Sequence, residues 1–223
     1  MTTRAPAALD VRPLTPARFD DLASLFSQGG DPKWCWCMYF RVRGLDWSNA
    51  TPDRNRNGLQ ELARRRPAPG LVAYRGGNAV GWVSLGPRES YERLEHSQVL
   101  APVDDTPVWS IVCFVVARTA RRAGVASALL DAAVAHARAE GAQVLEAYPL
   151  DTAGGRVSSA SAYRGTLAMF QRAGFQVVAT RQFNRTTPVR PIVRLDLTGA
   201  AGRSPRERTA RPRGGRRPLP ARE

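Results

Sequence analysis

The stretch Arg121-Arg122-Ala123-Gly124-Val125-Ala126 decides the fold because of what stands on either side of it. An apolar run, Val112-Cys113-Phe114-Val115-Val116, precedes it, and a segment rich in Ala and Leu follows it. This order predicts a strand, a short basic turn and an amphipathic helix over residues 126–140. The first N–H groups of a helix lack intrahelical partners and lie at the positive end of its dipole. The turn is therefore suited to binding phosphate or pyrophosphate.

Two later segments complete a pattern that extends over residues 109–197. Residues 143–148 fit a strand, and residues 163–173 fit a helix that ends in Ala173-Gly174-Phe175 and runs into a further strand. Together with Arg-x-x-Gly-x-Ala, this order resembles the GNAT N-acetyltransferase family. The resemblance implies an α/β fold with a mixed, mostly antiparallel central sheet, flanked by helices and opened by a splayed acyl-CoA-binding cleft.

The rest of the chain agrees with such a fold. Residues 10–14 and the hairpin segments 70–74 and 79–85 fit strands. A first helix follows Thr15-Pro16, and a second begins at Thr51 and runs to about Arg66. Residues 86–107 form a long polar loop, and two strands close the domain. We expect a flexible N-terminus over residues 1–8, one acetyltransferase domain over 9–198, and a disordered tail rich in Arg, Pro and Gly over 199–223.

Composition limits the classes of partner. The formal net charge of +14 suits an anionic ligand such as CoA. The Arg-rich tail has no aromatic residue for base stacking, so we expect no specific nucleic acid partner. No apolar run is long enough for a transmembrane helix, and no signal peptide is evident. Three cysteines argue against a disulfide framework, so the expected location is the cytoplasm, without membrane attachment.

The resemblance implies acetyl-CoA as cosubstrate and assigns residues to it. The backbone of Phe114, Val115 and Val116 would contact pantetheine, and the amide near Phe114 would donate to the oxyanion. Phe170 stands where many family members have a tyrosine that protonates the departing thiolate, so here it would pack against the cosubstrate. The pyrophosphate would be held by the turn and the start of the helix: Arg121, Arg122, Ala123, Gly124, Val125, Ala126 and Ser127.

Two residues are candidates for proton transfer. Tyr163 precedes Phe170 by seven residues, two turns back on the predicted helix. It would contact pantetheine, supply the proton or only pack. Glu146 lies in a predicted strand between apolar neighbours, where a carboxylate can act as a base. The alternative for Glu146 is an ion pair with one of the many arginines. Acidic residues of the long loop and His96 could instead line the acceptor pocket.

The aromatic segment over residues 34–40 is expected to form the acceptor wall, with Trp34, Trp36 and Tyr39 as substrate-binding residues. The alternatives for this segment are plain core and a homodimer surface. Cys35 and Cys37 form one C-x-C without a second pair, which is a poor zinc set, so no metal is expected. A covalent acyl-cysteine at either residue is a minor alternative.

Three functions follow from these features. The first is acetyl transfer to a primary amine of a small molecule by direct transfer. The second is the same chemistry on a protein or peptide amine. The third is a catalytically weak module that binds acyl-CoA, which the loss of the tyrosine at position 170 would explain. A closed aromatic pocket favours the small molecule, whereas an open acidic groove favours a peptide.

Overall fold

The computed structural model describes residues 8–28, 32–152 and 162–199, and a seven-stranded sheet runs through them. Its strands are β1 (Asp10–Pro13), β2 (Gly70–Arg75), β3 (Asn78–Pro87), β4 (Trp109–Val116), β5 (Val144–Ala147), β6 (Gln176–Arg181) and β7 (Arg190–Asp196). Their order is β1-β2-β3-β4-β5-β7-β6. All neighbours pair antiparallel except β4 and β5, which are parallel. The predicted mixed, mostly antiparallel sheet is confirmed.

Helices flank the sheet and occupy most of the connections. They are α1 (Phe19–Ser27), α2 (Pro32–Cys35), α3 (Gly44–Ser48), α4 (Pro52–Leu62), α5 (Glu92–Glu95), α6 (Val125–Ala139) and α7 (Leu167–Arg172). Helix α4 begins where the sequence predicts, because the Thr51 side chain accepts a hydrogen bond of 3.1 Å from the Arg54 N–H. Three short helices, α2, α3 and α5, were not predicted, since four or five residues carry too little periodicity.

The core lies between the sheet and helices α1 and α6. The predicted apolar face of α1 is buried, with Phe26 against Trp82 of β3 at a ring-centroid distance of 6.3 Å. Helix α6 lies close to β3 because Gly81 has no side chain. A Cβ there would stand 2.6 Å from a methyl of Val125. That close approach holds the start of α6, and with it the basic turn, against the sheet.

The two parallel strands separate after a short pairing. Strand β4 pairs with β5 from Trp109 to Ile111 only, although β4 continues to Val116. Pro149 follows β5 almost at once and has no N–H with which to continue a ladder. The second half of β4 therefore has no strand partner on this side among the described residues. This opening is the splay that the sequence predicts.

The predicted helix over residues 163–173 is wrong in its first half. Residues Ala162–Arg164 form a separate 3-10 turn, Gly165 has φ +72°, and α7 begins only at Leu167. Thr166 caps α7 by accepting a 3.3 Å hydrogen bond from the Met169 N–H. Tyr163 and Phe170 thus lie on different elements, not on one helix face. Residues 1–7 and 200–223, most of the predicted flexible ends, lie outside the described residues.

Candidate active site

The basic turn forms an open cradle at the start of α6. Arg121, Arg122 and Gly124 are exposed, and Arg122 and Gly124 both have positive φ angles, +61° and +77°. A Cβ on Gly124 would meet nothing within 4 Å, so the space above the turn is open. Left-handed residues on either side of Ala123 turn neighbouring backbone N–H groups toward one side, which is the geometry of an anion-binding concavity.

The helix start leaves donors for an anion. The Ala128 N–H bonds to the Gly124 carbonyl, 3.0 Å away, which begins the intrahelical ladder. The N–H groups of the preceding first turn, residues 125–127, have no partner of this kind. Arg75 of β2 donates a 3.1 Å hydrogen bond to the Ala123 carbonyl and fixes the turn from the opposite side. These residues fit the pyrophosphate of acetyl-CoA, because donors, positive charge and open space coincide there.

The unpaired half of β4 leads from this turn toward the opening of the sheet. Phe114 is buried, and Val115 and Val116 are half-buried. The 3-10 turn Ala162–Arg164 packs against β4 across the splay. Gly165 comes directly after this turn, and its backbone lies close to β4. A Cβ at Gly165 would stand 3.6 Å from the Phe114 ring. The opening is thus bordered by β4 on one side and by the Tyr163 segment on the other.

Phe170 is fully buried beside the opening. Its ring packs against Phe114 and Phe175, with centroid distances of 6.1 and 5.1 Å. The structure thus gives Phe170 a packing position next to β4. A phenyl ring there has no proton to donate, and its contact with the cosubstrate stays a prediction.

Glu146 is the centre of a buried polar network. Its Oε1 accepts from Tyr148 at 2.6 Å and from Arg88 at 3.1 Å, and its Oε2 accepts from Arg194 at 2.7 Å. The expectation of apolar surroundings for this carboxylate is wrong, and the alternative, an ion pair, is what the structure shows. Burial and the neighbouring charge of Glu146 raise the pKa of Tyr148 well above its ordinary value, which keeps that phenol a donor.

Arg88 ties this network to the loop over residues 86–107. Its guanidinium donates to the carbonyls of Leu94 and Leu100 at 3.0 and 2.7 Å, and it lies 2.9 Å from a carboxylate oxygen of Glu95. Its side chain is only 8% exposed. A buried arginine thus anchors this polar loop to β5. The loop therefore has a defined shape where it borders the acceptor side.

A cleft of about 460 Å³ opens on that side. Four separate segments meet there: the residues after α2, the loop after β3, the 3-10 turn at Arg164, and the connection from β6 to β7. The cleft is lined by Tyr39, Phe40, Arg43, Arg93, His96, Ser97, Val99, Leu100, Arg164, Phe183, Thr187, Pro188 and Arg190. Its size is in the range of small-molecule sites.

Of the predicted acceptor residues, the structure brings Tyr39 to the cleft. Trp36 is 7% exposed and stacks on Phe19 in the core, and Trp34 packs against Trp47 outside the cleft. His96 lines the cleft, whereas the glutamates of the same loop do not. Tyr163 is half-buried, and its hydroxyl accepts a 3.0 Å hydrogen bond from Arg164, which also lines the cleft.

Cys37 and Cys113 form a buried pair of thiols. The sulfurs of Cys37 and Cys113 are 3.4 Å apart, and the Trp82 indole donates to the Cys37 sulfur at 3.2 Å. The hydrogen bond with Cys113, followed by burial, raises the pKa of Cys37 well above 9.0. A protonated thiol is a weak nucleophile. No group of three or more potential ligands for a metal occurs in the described part of the chain.

A splayed sheet beside an anion-binding helix start defines the class of acyl-CoA-dependent acyltransferases. A family model for the acetyltransferase (GNAT) family matches residues 33–175. The chain belongs to this family, and the predicted resemblance is confirmed. No curated protein matches the chain. None of the described helices is long and apolar enough to cross a membrane.

Solved acetyltransferases share the fold at low sequence identity. An N-acetyltransferase from Staphylococcus aureus Mu50 has a TM-score of 0.51 at 18% identity, covering 86% of this chain and 99% of its own. The yncA protein of Salmonella typhimurium, solved with its cofactor acetyl-CoA, has a TM-score of 0.51 at 18% identity, with 87% and 97% covered. A polyamine N-acetyltransferase of Drosophila melanogaster, which forms N-acetylagmatine, has a TM-score of 0.51 at 14% identity, with 85% and 100% covered.

Proposed function

We propose that the protein transfers the acetyl group of acetyl-CoA directly to a primary amine of a small molecule. The observation that carries this proposal is the bounded cleft of about 460 Å³ on the acceptor side of the splay. Walls from four segments suit a small molecule better than an extended peptide. The Drosophila enzyme, which shares the fold, acts on a small amine, and this supports a small molecule rather than a peptide as acceptor.

Cosubstrate binding is proposed at the turn and along β4. The residues of the turn from Arg121 to Ser127 would hold the pyrophosphate through N–H groups and guanidinium charge. The unpaired backbone of Phe114, Val115 and Val116 would hold the pantetheine arm, and an amide near Phe114 would face the developing oxyanion. Acetyl-CoA supplies a thioester activated for attack by an amine.

Proton transfer is proposed for residues at the cleft. Tyr163 would contact the pantetheine end or give a proton to the thiolate, because its segment crosses the splay beside Phe114. His96 also lines the cleft, and histidine is the side chain that most often serves as a general base, so it is a candidate acceptor of the ammonium proton. Glu146 is fully buried and its two oxygens already accept from three donors, so we propose that it positions Arg88 and Arg194.

Thiol release from acetyl-CoA across a panel of primary amines tests the proposal. We expect turnover with one class of small amines and none with peptides, together with calorimetric binding of CoA. Tight CoA binding with no turnover would favour the non-catalytic module instead. Turnover with peptide amines alone would favour the protein-directed alternative. Absence of CoA binding would overturn the assignment of the turn.

A further inference from the structure

The charge of the acceptor cleft is uniformly positive. Its lining includes four arginines, Arg43, Arg93, Arg164 and Arg190, and among the described lining residues there is no aspartate or glutamate. The ion pairs of the described residues lie elsewhere: none of them involves any of these four arginines. Four guanidinium groups thus line one small cleft whose described lining residues include no carboxylate.

Two of these arginines lie close to each other. Burial lowers the pKa of Arg190, and the charge of Arg164 lowers it further. Both side chains are half-buried, so water screens their mutual repulsion incompletely. Bringing like charges together costs free energy, and an anion between them would remove that cost.

Two of the four guanidinium groups are also held in place. Arg93 donates to the carbonyls of Tyr39 and Val42 at 2.7 and 3.2 Å, and its guanidinium lies 4.1 Å from the centre of the Tyr39 ring. Arg164 donates to the Tyr163 hydroxyl and lies over the rings of Tyr163 and Phe40. Planar, pre-oriented guanidinium groups are the usual donors to carboxylate and phosphate.

We infer that the acceptor is an amine that carries a carboxylate or phosphate group, which Arg164 and Arg190 bind. This inference rests on the proposed function and narrows it. The acceptor class then differs from that of the Drosophila neighbour, since polyamines and agmatine carry additional positive charge that the four cleft arginines would repel. An apolar wall from Phe40, Val99 and Phe183 leaves room for a hydrocarbon portion.

Turnover on charge-matched pairs of amines tests this inference. The full chain would be assayed with aspartate against asparagine, phosphoethanolamine against ethanolamine, and agmatine as the cation. The first pair tests a carboxylate and the second a phosphate. We expect the anionic member of at least one pair to have the higher kcat/KM. Arg190→Gln and Arg164→Gln should raise KM for it about tenfold each, the effect of one lost charged hydrogen bond. Arg65→Gln, an exposed arginine outside the cleft, is the matched control.

A binding measurement separates this inference from the proposed function. Glutarate has two carboxylates and no amine, so it can bind the cleft but cannot be acetylated. Its binding would be measured by calorimetry with saturating CoA present, because bound CoA keeps glutarate out of the phosphate-binding turn. Glutarate binding that Arg190→Gln weakens, without turnover of any amine, would support the anionic cleft and overturn the acetyltransfer proposal. Turnover that is best with agmatine, or an anion preference unchanged in both variants, would overturn the inference. A protein that neither binds glutarate nor acetylates any amine would overturn both this inference and the proposed function.

Discussion

Arg88 and Glu146, separated by 58 residues in the chain, form a buried ion pair with Nη1 and Oε1 3.1 Å apart. The Glu146 side chain is 1% exposed and that of Arg88 is 8% exposed. Arg194 closes the other side of the carboxylate at 2.7 Å. Arg88 also lies 2.9 Å from Glu95, and Arg194 lies 2.7 Å from Asp104, but these two carboxylates are 41% and 48% exposed. Removing the charge of Glu146 therefore takes away the buried counter-charge that both guanidinium groups share. This relationship joins the loop over residues 86–107 to β5 and β7.

Glu146→Gln should therefore act on stability before it acts on chemistry. We expect a loss of about 3 kcal/mol in the free energy of unfolding, because the buried charge pair is broken. Urea denaturation measures that loss, and Glu89→Gln, an exposed neighbour of Arg88, is the matched control. A variant that keeps full stability but loses turnover, with a changed pH profile, would restore Glu146 as the catalytic base.

The sequence predicts this fold well where periodicity carries the information. The buried face of α1, the cap at Thr51 and the strands on both sides of Gly124 are placed within a few residues. The Arg88–Glu146 pair could not be predicted, since many arginines were available to Glu146 and only the pairing of β3 and of β5 with β4 brings these two residues together. Likewise, the cleft arginines come from four distant segments and share no motif.

The sequence contains a signal for the break at residues 163–166, where a continuous helix was predicted, but the helical pattern concealed it. Gly165 and Thr166 together are a turn residue followed by a helix cap, and the Thr166 side chain does accept from Met169. The apolar spacing of Tyr163, Leu167 and Phe170 matches a helix equally well, and that match concealed the break. Trp36 shows the opposite limit: an aromatic residue fits a core and a pocket equally well by composition, and packing against Phe19 decides for the core.

Gly124→Trp tests the cosubstrate turn, and the chain offers a matched control. Gly124 and Gly141 stand at the two ends of α6, both with positive φ and with open space where a Cβ would lie. Tryptophan should cost about 1 kcal/mol of backbone strain at either position. Only at Gly124 would it also fill the cradle, so CoA affinity by calorimetry should fall more than tenfold for Gly124→Trp alone. Equal affinities of the two variants would contradict a phosphate site at this turn.

The thiols should be unreactive at the catalytic step. Because the hydrogen bond with Cys113 and burial raise the pKa of Cys37 well above its ordinary value, its thiol stays protonated near neutral pH, and alkylation by iodoacetamide should be slow in the folded protein. Cys35 is half-buried and should react first, which mass spectrometry of the labelled peptides measures. Cys37→Ser should keep turnover within about twofold, as direct transfer requires. Loss of turnover with a trapped acyl-Cys37 would establish a covalent intermediate instead.

Tyr163→Phe separates the roles proposed for the tyrosine in the splay. The substitution removes the Tyr163 hydroxyl oxygen, which accepts a hydrogen bond from Arg164 at 3.0 Å. It keeps the ring, which packs under the guanidinium of Arg164. If Tyr163 only contacts the pantetheine end, KM for acetyl-CoA should rise a few-fold while kcat and its pH profile stay unchanged. If Tyr163 is instead the proton donor, kcat should fall at least a hundredfold, which is the size of a general-acid contribution, and the alkaline limb of the pH profile of kcat should disappear. Tyr74→Phe, whose hydroxyl bonds to Asp21 far from the cleft, controls for the loss of a phenol as such. Because solvent can protonate a thiolate at an open splay, we expect the first result, and the second would establish Tyr163 as the acid.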